Sequence, residues 1–203
     1  MVNIRALLAL VLHLAYLVAA FGWRTMVHRR RTGDSGFRWQ RHDRVARVSG
    51  ALFAAAIVAG TVGVTLAAFS VIELWELLAA TGAFVTGLVL FAAGCALTLA
   101  AQSAMGASWR IGVDPTERTG LVTSGLFGWV RNPIFTGMVT AAARLGLLAP
   151  TVLTAVSVVM LVVAVCVQVR RVEEPYLRDA MPGWSTYAQQ VGRFVPRVGR
   201  IGR

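Results

Sequence analysis

The sequence predicts an all-α membrane protein: a bundle of about five transmembrane helices with a helical hairpin and a helical C-terminal tail on the cytoplasmic side. Three observations predict it. Hydrophobic residues make up 57% of the 203, and they fall in long runs; about 18 or more apolar residues are needed to cross a ~30 Å hydrocarbon core. The formal charge of +11 rests on twenty arginines and no lysine. Those arginines lie almost entirely between the runs, as the positive-inside rule and attraction to anionic headgroups require. The charge therefore points to membrane lipids as partners and argues against nucleic acid. The abundance of Ala, Val, Gly and Arg suggests a GC-rich bacterial genome, hence a bacterial plasma membrane.

The first crossing spans residues 4–22 and is followed by a basic loop, 23–48, carrying eight arginines from Arg24 to Arg47. It has no small-residue cleavage site and a basic flank follows it, so it reads as a span and not as a signal peptide. The second crossing is 49–70, with Glu73 and Glu76 marking its far side. The third is 78–105. A glycine-dotted polar connection, 106–130, leads to the fourth run, 133–148. Ala149 and Pro150 turn it tightly into the fifth, 151–169, so runs four and five form a hairpin. Arginines in the first loop, in the connection and in the tail place these on the cytoplasmic side. An odd number of spans then leaves the N-terminus outside and the C-terminus inside. Cys95 and Cys166 fall inside spans and read as apolar fillers, not as a disulfide or metal framework.

Chemistry-bearing residues gather in the second half. Asn132 and Pro133 can simply start a helix, as N-cap and first helical residue. That start also exposes free N–H groups able to receive a small ligand's carboxylate, with Gly137 allowing close approach. Glu173 and Glu174 lie where the last span should leave the bilayer, because Pro175 disfavours helical geometry before it. Carboxylates there face the negative end of the helix dipole. Projecting about 100° apart, they cannot share one partner. One can pair with Arg170 or Arg171, leaving the other for an ammonium, a sulfonium-bearing molecule or a ribose hydroxyl pair.

Trp184, Tyr187 and Val191 share one face of a tail helix, which reads as an interfacial helix and also as a lid over the cytoplasmic mouth. Trp109 reads as an interface anchor, and Arg110 can meet an acidic headgroup. Arg144 inside the fourth run costs roughly 2.5–3.5 kcal/mol at a span centre, and is expected to snorkel or to pair with Glu73 or Glu76. His13 reads as a packed core residue, whereas His28 and His42 in the basic loop read as solvated.

Taken together these residues resemble the isoprenylcysteine carboxyl methyltransferase and phospholipid methyltransferase superfamily of integral-membrane enzymes. That family shows an Arg-His-Pro-x-Tyr-x-Gly motif after a glycine–aromatic turn, then a hydrophobic hairpin, Glu-Glu, Leu, an aromatic-Tyr segment and a closing Pro. The matching residues are Gly125, Leu126 and Phe127; Arg131 to Gly137; Glu173, Glu174 and Leu177; and Trp184, Tyr187 and Pro196. Asn132 stands for the motif's His and Phe135 for its Tyr.

The resemblance implies a single domain, 1–203, with a three-span part (1–105) and a cofactor-binding part (106–203) that encloses S-adenosylmethionine. It implies cofactor contacts at Leu126, Arg131, Asn132, Pro133, Phe135, Gly137, Glu173, Glu174, Leu177 and Tyr187, no metal, and a lipophilic substrate arriving from the bilayer. No histidine follows His42, so the site has no evident general base. A carboxylate is already ionised at neutral pH, which favours a lipid carboxylate as methyl acceptor, oriented by the catalytic candidates Arg110 or Arg131. Two other readings stand beside this one: a membrane NADPH-dependent reductase of the sterol type, and a non-catalytic protein of the same fold.

Overall fold

The computed structural model describes residues 1–36, 43–75, 81–109 and 120–202. Six helices, α1–α6, carry the architecture. Helix α1 spans Ile4–Thr32, α2 Arg44–Ala68, α3 Thr81–Met105, α4 Pro133–Leu148 and α5 Val152–Ala180; the short α6 is Trp184–Gln190. By length and composition α1, α2, α3 and α5 can each cross a membrane, and α4 is a shorter apolar helix. Among the described residues there are isolated bridges but no named strands.

Local chemistry sets the helix ends. The Asn3 side chain accepts from the Ala6 N–H and the Asp43 side chain from the Val45 N–H, opening α1 and α2. Thr151 and Thr154 form a reciprocal capping box at the start of α5. Gly33, at φ 78°, closes α1 in the left-handed conformation that glycine alone adopts cheaply.

Helix α1 therefore runs ten residues past Gly22, where the sequence suggested a basic loop, by way of a π-helical turn at Val18–Trp23. The extension buries Arg24 and His28. His28 meets Trp109 edge-on, with ring centroids 5.4 Å apart, and Arg24 lies over the same indole at 4.9 Å. Neither His28 nor Trp109 is a solvated or interfacial residue. His42, Arg110 and Glu76 lie outside the described residues.

Hydrogen bonds between helix ends show that the chain alternates in direction. Asn3 N–H donates to Ala68 O and Trp75 N–H to Pro150 O, while Arg5 donates to Leu147 O; these define one end. At the opposite end Arg24 donates to Gln102 O and Gly106 O, and Ser49 to Gln168.

Small residues choose the helix partners. A Cβ on Gly94 would sit 2.6 Å from Gly137 O, and one on Gly137 would sit 2.7 Å from Thr98 N, so α3 and α4 approach with backbones nearly touching. A Cβ on Gly63 would meet Leu153 Cβ at 2.7 Å, which seats α2 on α5. The expected hairpin of runs four and five is thus joined at Ala149–Pro150, yet α4 packs mainly on α3, and α5 mainly on α2.

Arg144 is buried instead of snorkelling, and it reaches no acid among the described residues. It breaks α4 at 1% exposure, donates to Ala141 O and to His13 Nδ1, and lies 4.4 Å over the Phe91 ring. A guanidinium can only donate, so His13 accepts through Nδ1. Its Nε2–H is left to donate to Thr61 Oγ1 at 3.0 Å, and Thr61 donates in turn to Ile57 O.

Candidate active site

Two guanidiniums and one carboxylate organise the site. Arg131, on the residue pair that opens α4, is 7% exposed, and Glu174 in α5 is 6% exposed. Arg131 Nη2 donates to Glu174 Oε1 at 2.7 Å. Arg193 donates to the same carboxylate from Nε at 2.7 Å and Nη2 at 2.8 Å, a bidentate fork of the stronger kind. The bond to Glu174 raises the Arg193 pKa against a smaller opposing effect of burial. The rest of the Arg131 guanidinium holds the tail: Nη1 donates to Ala188 O and Val191 O, and Nη2 also to Gly199 O.

The tail then runs alongside the start of α4. Arg131 N–H donates to Gly192 O and Asn132 N–H to Arg193 O, and Thr136 Oγ1 donates to Phe194 O. Asn132 does precede the helix, with Pro133 at its start, but its side chain does not cap it. It donates instead to Arg193 O at 3.1 Å. Gly192 has no space for a Cβ, which would lie 2.7 Å from Arg197 N under the 195–198 turn.

Glu174 is therefore committed to Arg131 and Arg193, not to Arg170 or Arg171. Glu173 diverges from it, as adjacent helical residues must. The helix does not end at the pair either: α5 continues to Ala180. A π-helical turn at Gln168–Glu173 precedes Pro175 and widens the helix where a proline ring would otherwise strike the carbonyl four residues earlier. Its five-residue register also aligns Gln168 with Glu173, and Gln168 Nε2 donates to Glu173 Oε1 at 3.3 Å. Ser49 of α2 donates to Gln168 Oε1 at 2.7 Å.

These groups border a cavity of about 580 Å³ among α2, α3, α4, α5 and α6, lined mostly by apolar side chains. Of the sequence candidates, Arg131, Asn132, Pro133, Phe135, Glu173, Glu174, Leu177 and Tyr187 line it. Leu126 lies beside it in the Gly125–Gly128 turn, and Gly137 faces α3. Trp184 is 2% exposed and lies under Arg131 and Arg178, a cavity wall and not a surface anchor. Tyr187 donates to Phe127 O at 2.6 Å. Burial, partly offset by Arg131, pushes its hydroxyl up to about 12, so it stays a proton donor at neutral pH.

Sequence reading did not single out Arg193, Gln168, Ser49 or Gln102. Gln168 and Gln102 are amides at the ends of apolar runs, a signal that was present; nothing in spacing marks Arg193. Gln102 lines the cavity and donates through Nε2 to Ala20 O. Its Oε1, and the Nε of Arg131, are buried without a partner among the described residues, and buried polar atoms are rarely left so.

Neither a curated protein nor a solved structure matches the chain. The profile of the phospholipid methyltransferase family matches residues 82–181, from the start of α3 to just past the end of α5. The matched segment carries both Arg131 and Glu174 and most of the residues that line the cavity, and by this match the chain belongs to the phospholipid methyltransferase family of integral-membrane methyltransferases.

Proposed function

We propose that the protein is an S-adenosylmethionine-dependent methyltransferase acting on a lipophilic substrate that enters from the bilayer. The observation that carries this reading is one cavity whose wall is apolar over most of its area and carries Glu173 and Asn132 at its polar end. The residues fit the cofactor's chemistry. Glu173, backed by Gln168 and Ser49, offers negative charge to a sulfonium or ammonium or acceptance to ribose hydroxyls, and the Trp184 and Phe127 rings offer apolar contact to a base. Bound there, S-adenosylmethionine supplies an electrophilic methyl group.

The chain's own part is positioning and exclusion of water. Held in one cavity, acceptor and methyl donor meet in a near-attack arrangement that removes much of the entropic barrier. The apolar walls keep water, the competing nucleophile, away from it. Trp184 and α6 close one side, and the Arg131–Glu174–Arg193 cluster fixes α6 and the tail to α4 and α5.

The acceptor that best suits this wall is a lipid carboxylate, because among the described residues no histidine lines the cavity and Tyr187 keeps its proton. Arg131 is not its anchor: all four of its Nη hydrogens serve Glu174 and the tail. Of the two candidates that leaves Arg110, which lies outside the described residues. A second reading, an amine headgroup, is favoured by Glu173, a carboxylate at the wall able to take a proton from an ammonium. Membranes containing the protein, given labelled S-adenosylmethionine with a fatty acid in one arm and an aliphatic amine in the other, separate the two. Label on the acid alone supports the first reading, and label on the amine alone replaces it with the second. Stabilisation of the purified protein by NADPH, with none by S-adenosylmethionine, would replace both by a reductase.

A further inference from the structure

A second, smaller cavity of about 40 Å³ lies deeper in the bundle. Phe21, Phe53, Ile57 and Met138 face both cavities, so the small one abuts the large one across a neck formed by these side chains. Phe21 and Phe53 pack edge to face in that neck at 6.2 Å. Met138, from α4, is the unbranched member that can yield to a passing chain.

The chemistry of the inner wall selects the occupant. Three of its side chains are polar, and each is already hydrogen-bonded: His13 to Thr61 and Arg144, Tyr16 to Thr98, and Ser157 to Thr154 O. The other lining residues are apolar. A buried water needs two to four polar partners, and this largely apolar wall, whose polar side chains are each already engaged, suits one poorly. The space holds about three water-sized groups, which is the size of the end of a hydrocarbon chain. Beyond it the His13–Arg144 cluster closes the path, since a chain pushed further would have to displace a buried guanidinium from its acceptor.

We infer that the inner cavity receives the terminal carbons of the substrate's apolar chain and sets the longest chain the enzyme accepts. This rests on the reading of the large cavity as a lipid methyltransferase site: polar end beside Glu173, chain through the Phe21–Phe53 neck, terminus against Leu161 and Ala142. The ruler is the distance from the transfer point to the His13 floor.

The test is a homologous series of straight-chain fatty acids and, in parallel, alkylamines, each offered with labelled S-adenosylmethionine to the purified protein. The thermal shift that each chain alone produces is read alongside. Ala142→Leu fills the inner cavity and should move the longest accepted chain down. Leu161→Ala enlarges it and should move the limit up. At the limit, preference between neighbouring members should change by roughly tenfold, the discrimination one methylene gives in an apolar pocket. A folding defect lowers every chain alike and cannot move the limit in opposite directions. Transfer that persists with one unchanged length profile in the wild type and both variants would overturn the inference and leave the methyltransferase reading standing. Absence of any transfer, together with no thermal shift from S-adenosylmethionine, would overturn that reading and the ruler with it.

Discussion

Glu173 and Glu174 are neighbours with opposite duties. Glu174 is buried between Arg131 and Arg193, so Glu174→Gln leaves one guanidinium buried without its counter-charge. Breaking such a pair from one side costs about 3–5 kcal/mol when both partners are buried; Arg193 retains some solvent access, which places the expected loss below that range. Glu174→Gln should therefore lower the thermal midpoint in detergent. Glu173→Gln, at the cavity wall, should lower the midpoint less than Glu174→Gln does and weaken S-adenosylmethionine binding in calorimetry. Equal midpoints for the two variants would contradict the division. Arg144 poses the same question with the opposite sign. Its acceptors are His13 and Ala141 O and its stacking partner is Phe91, with no carboxylate among its contacts with the described residues. Replacing a buried charge by an apolar residue of similar length is often neutral or stabilising, so Arg144→Met should hold or raise the midpoint. His13→Leu removes the acceptor and leaves the charge in place, and should lower it.

Between elements, the close approaches are made by glycine. The α3–α4 seam depends on Gly94 and Gly137 facing each other, and a methyl at either position would press on backbone atoms that cannot swing aside. Gly94→Ala and Gly137→Ala should each cost about 1–3 kcal/mol, the usual penalty for overpacking. Gly82, near the start of the same helix α3, has nothing within 4 Å of its would-be Cβ; Gly82→Ala should be neutral or slightly stabilising, since Ala is the better helix former. A loss at Gly82 matching that at Gly94 would show that helix propensity, and not the seam, is being measured. These seams also explain what the sequence could and could not reveal. Apolar runs of spanning length mark the helices almost directly, and the arginine spacing marks their alternation. Partner choice does not follow from run order, because a glycine's role depends on what lies opposite it. Local chemistry predicts that Pro175 ends the span near the acids, and it does not, because the π-helical turn before it accommodates the ring and carries α5 on to Ala180. Arg193 escaped notice for a similar reason: Glu174 meets it only after α6 and the tail fold back, a contact nineteen residues away in sequence that no helical spacing encodes.

At the scale of the whole molecule, charge and chemistry sit at one end. Among the described arginines, Arg5 and Arg144 alone belong to the end marked by Ala68 and Pro150, and both are tied down, Arg5 to Leu147 O and Arg144 to His13. The others lie toward the opposite end, with Glu173 and the Arg131 cluster. The positive-inside rule predicts that this end faces the cytoplasm, where a water-soluble cofactor would reach the cavity without crossing the bilayer. A reporter fused after the C-terminus should then read cytoplasmic. One inserted after Ser70, an exposed residue in the turn following α2, should read external. The pair of results separates two errors. Both reporters on the same side would mean that the short helix α4 fails to cross, since α5 would then end at the wrong face. Opposite sides in the reversed sense would preserve the five-crossing bundle and show that its arginine-rich end faces outward, against the charge rule.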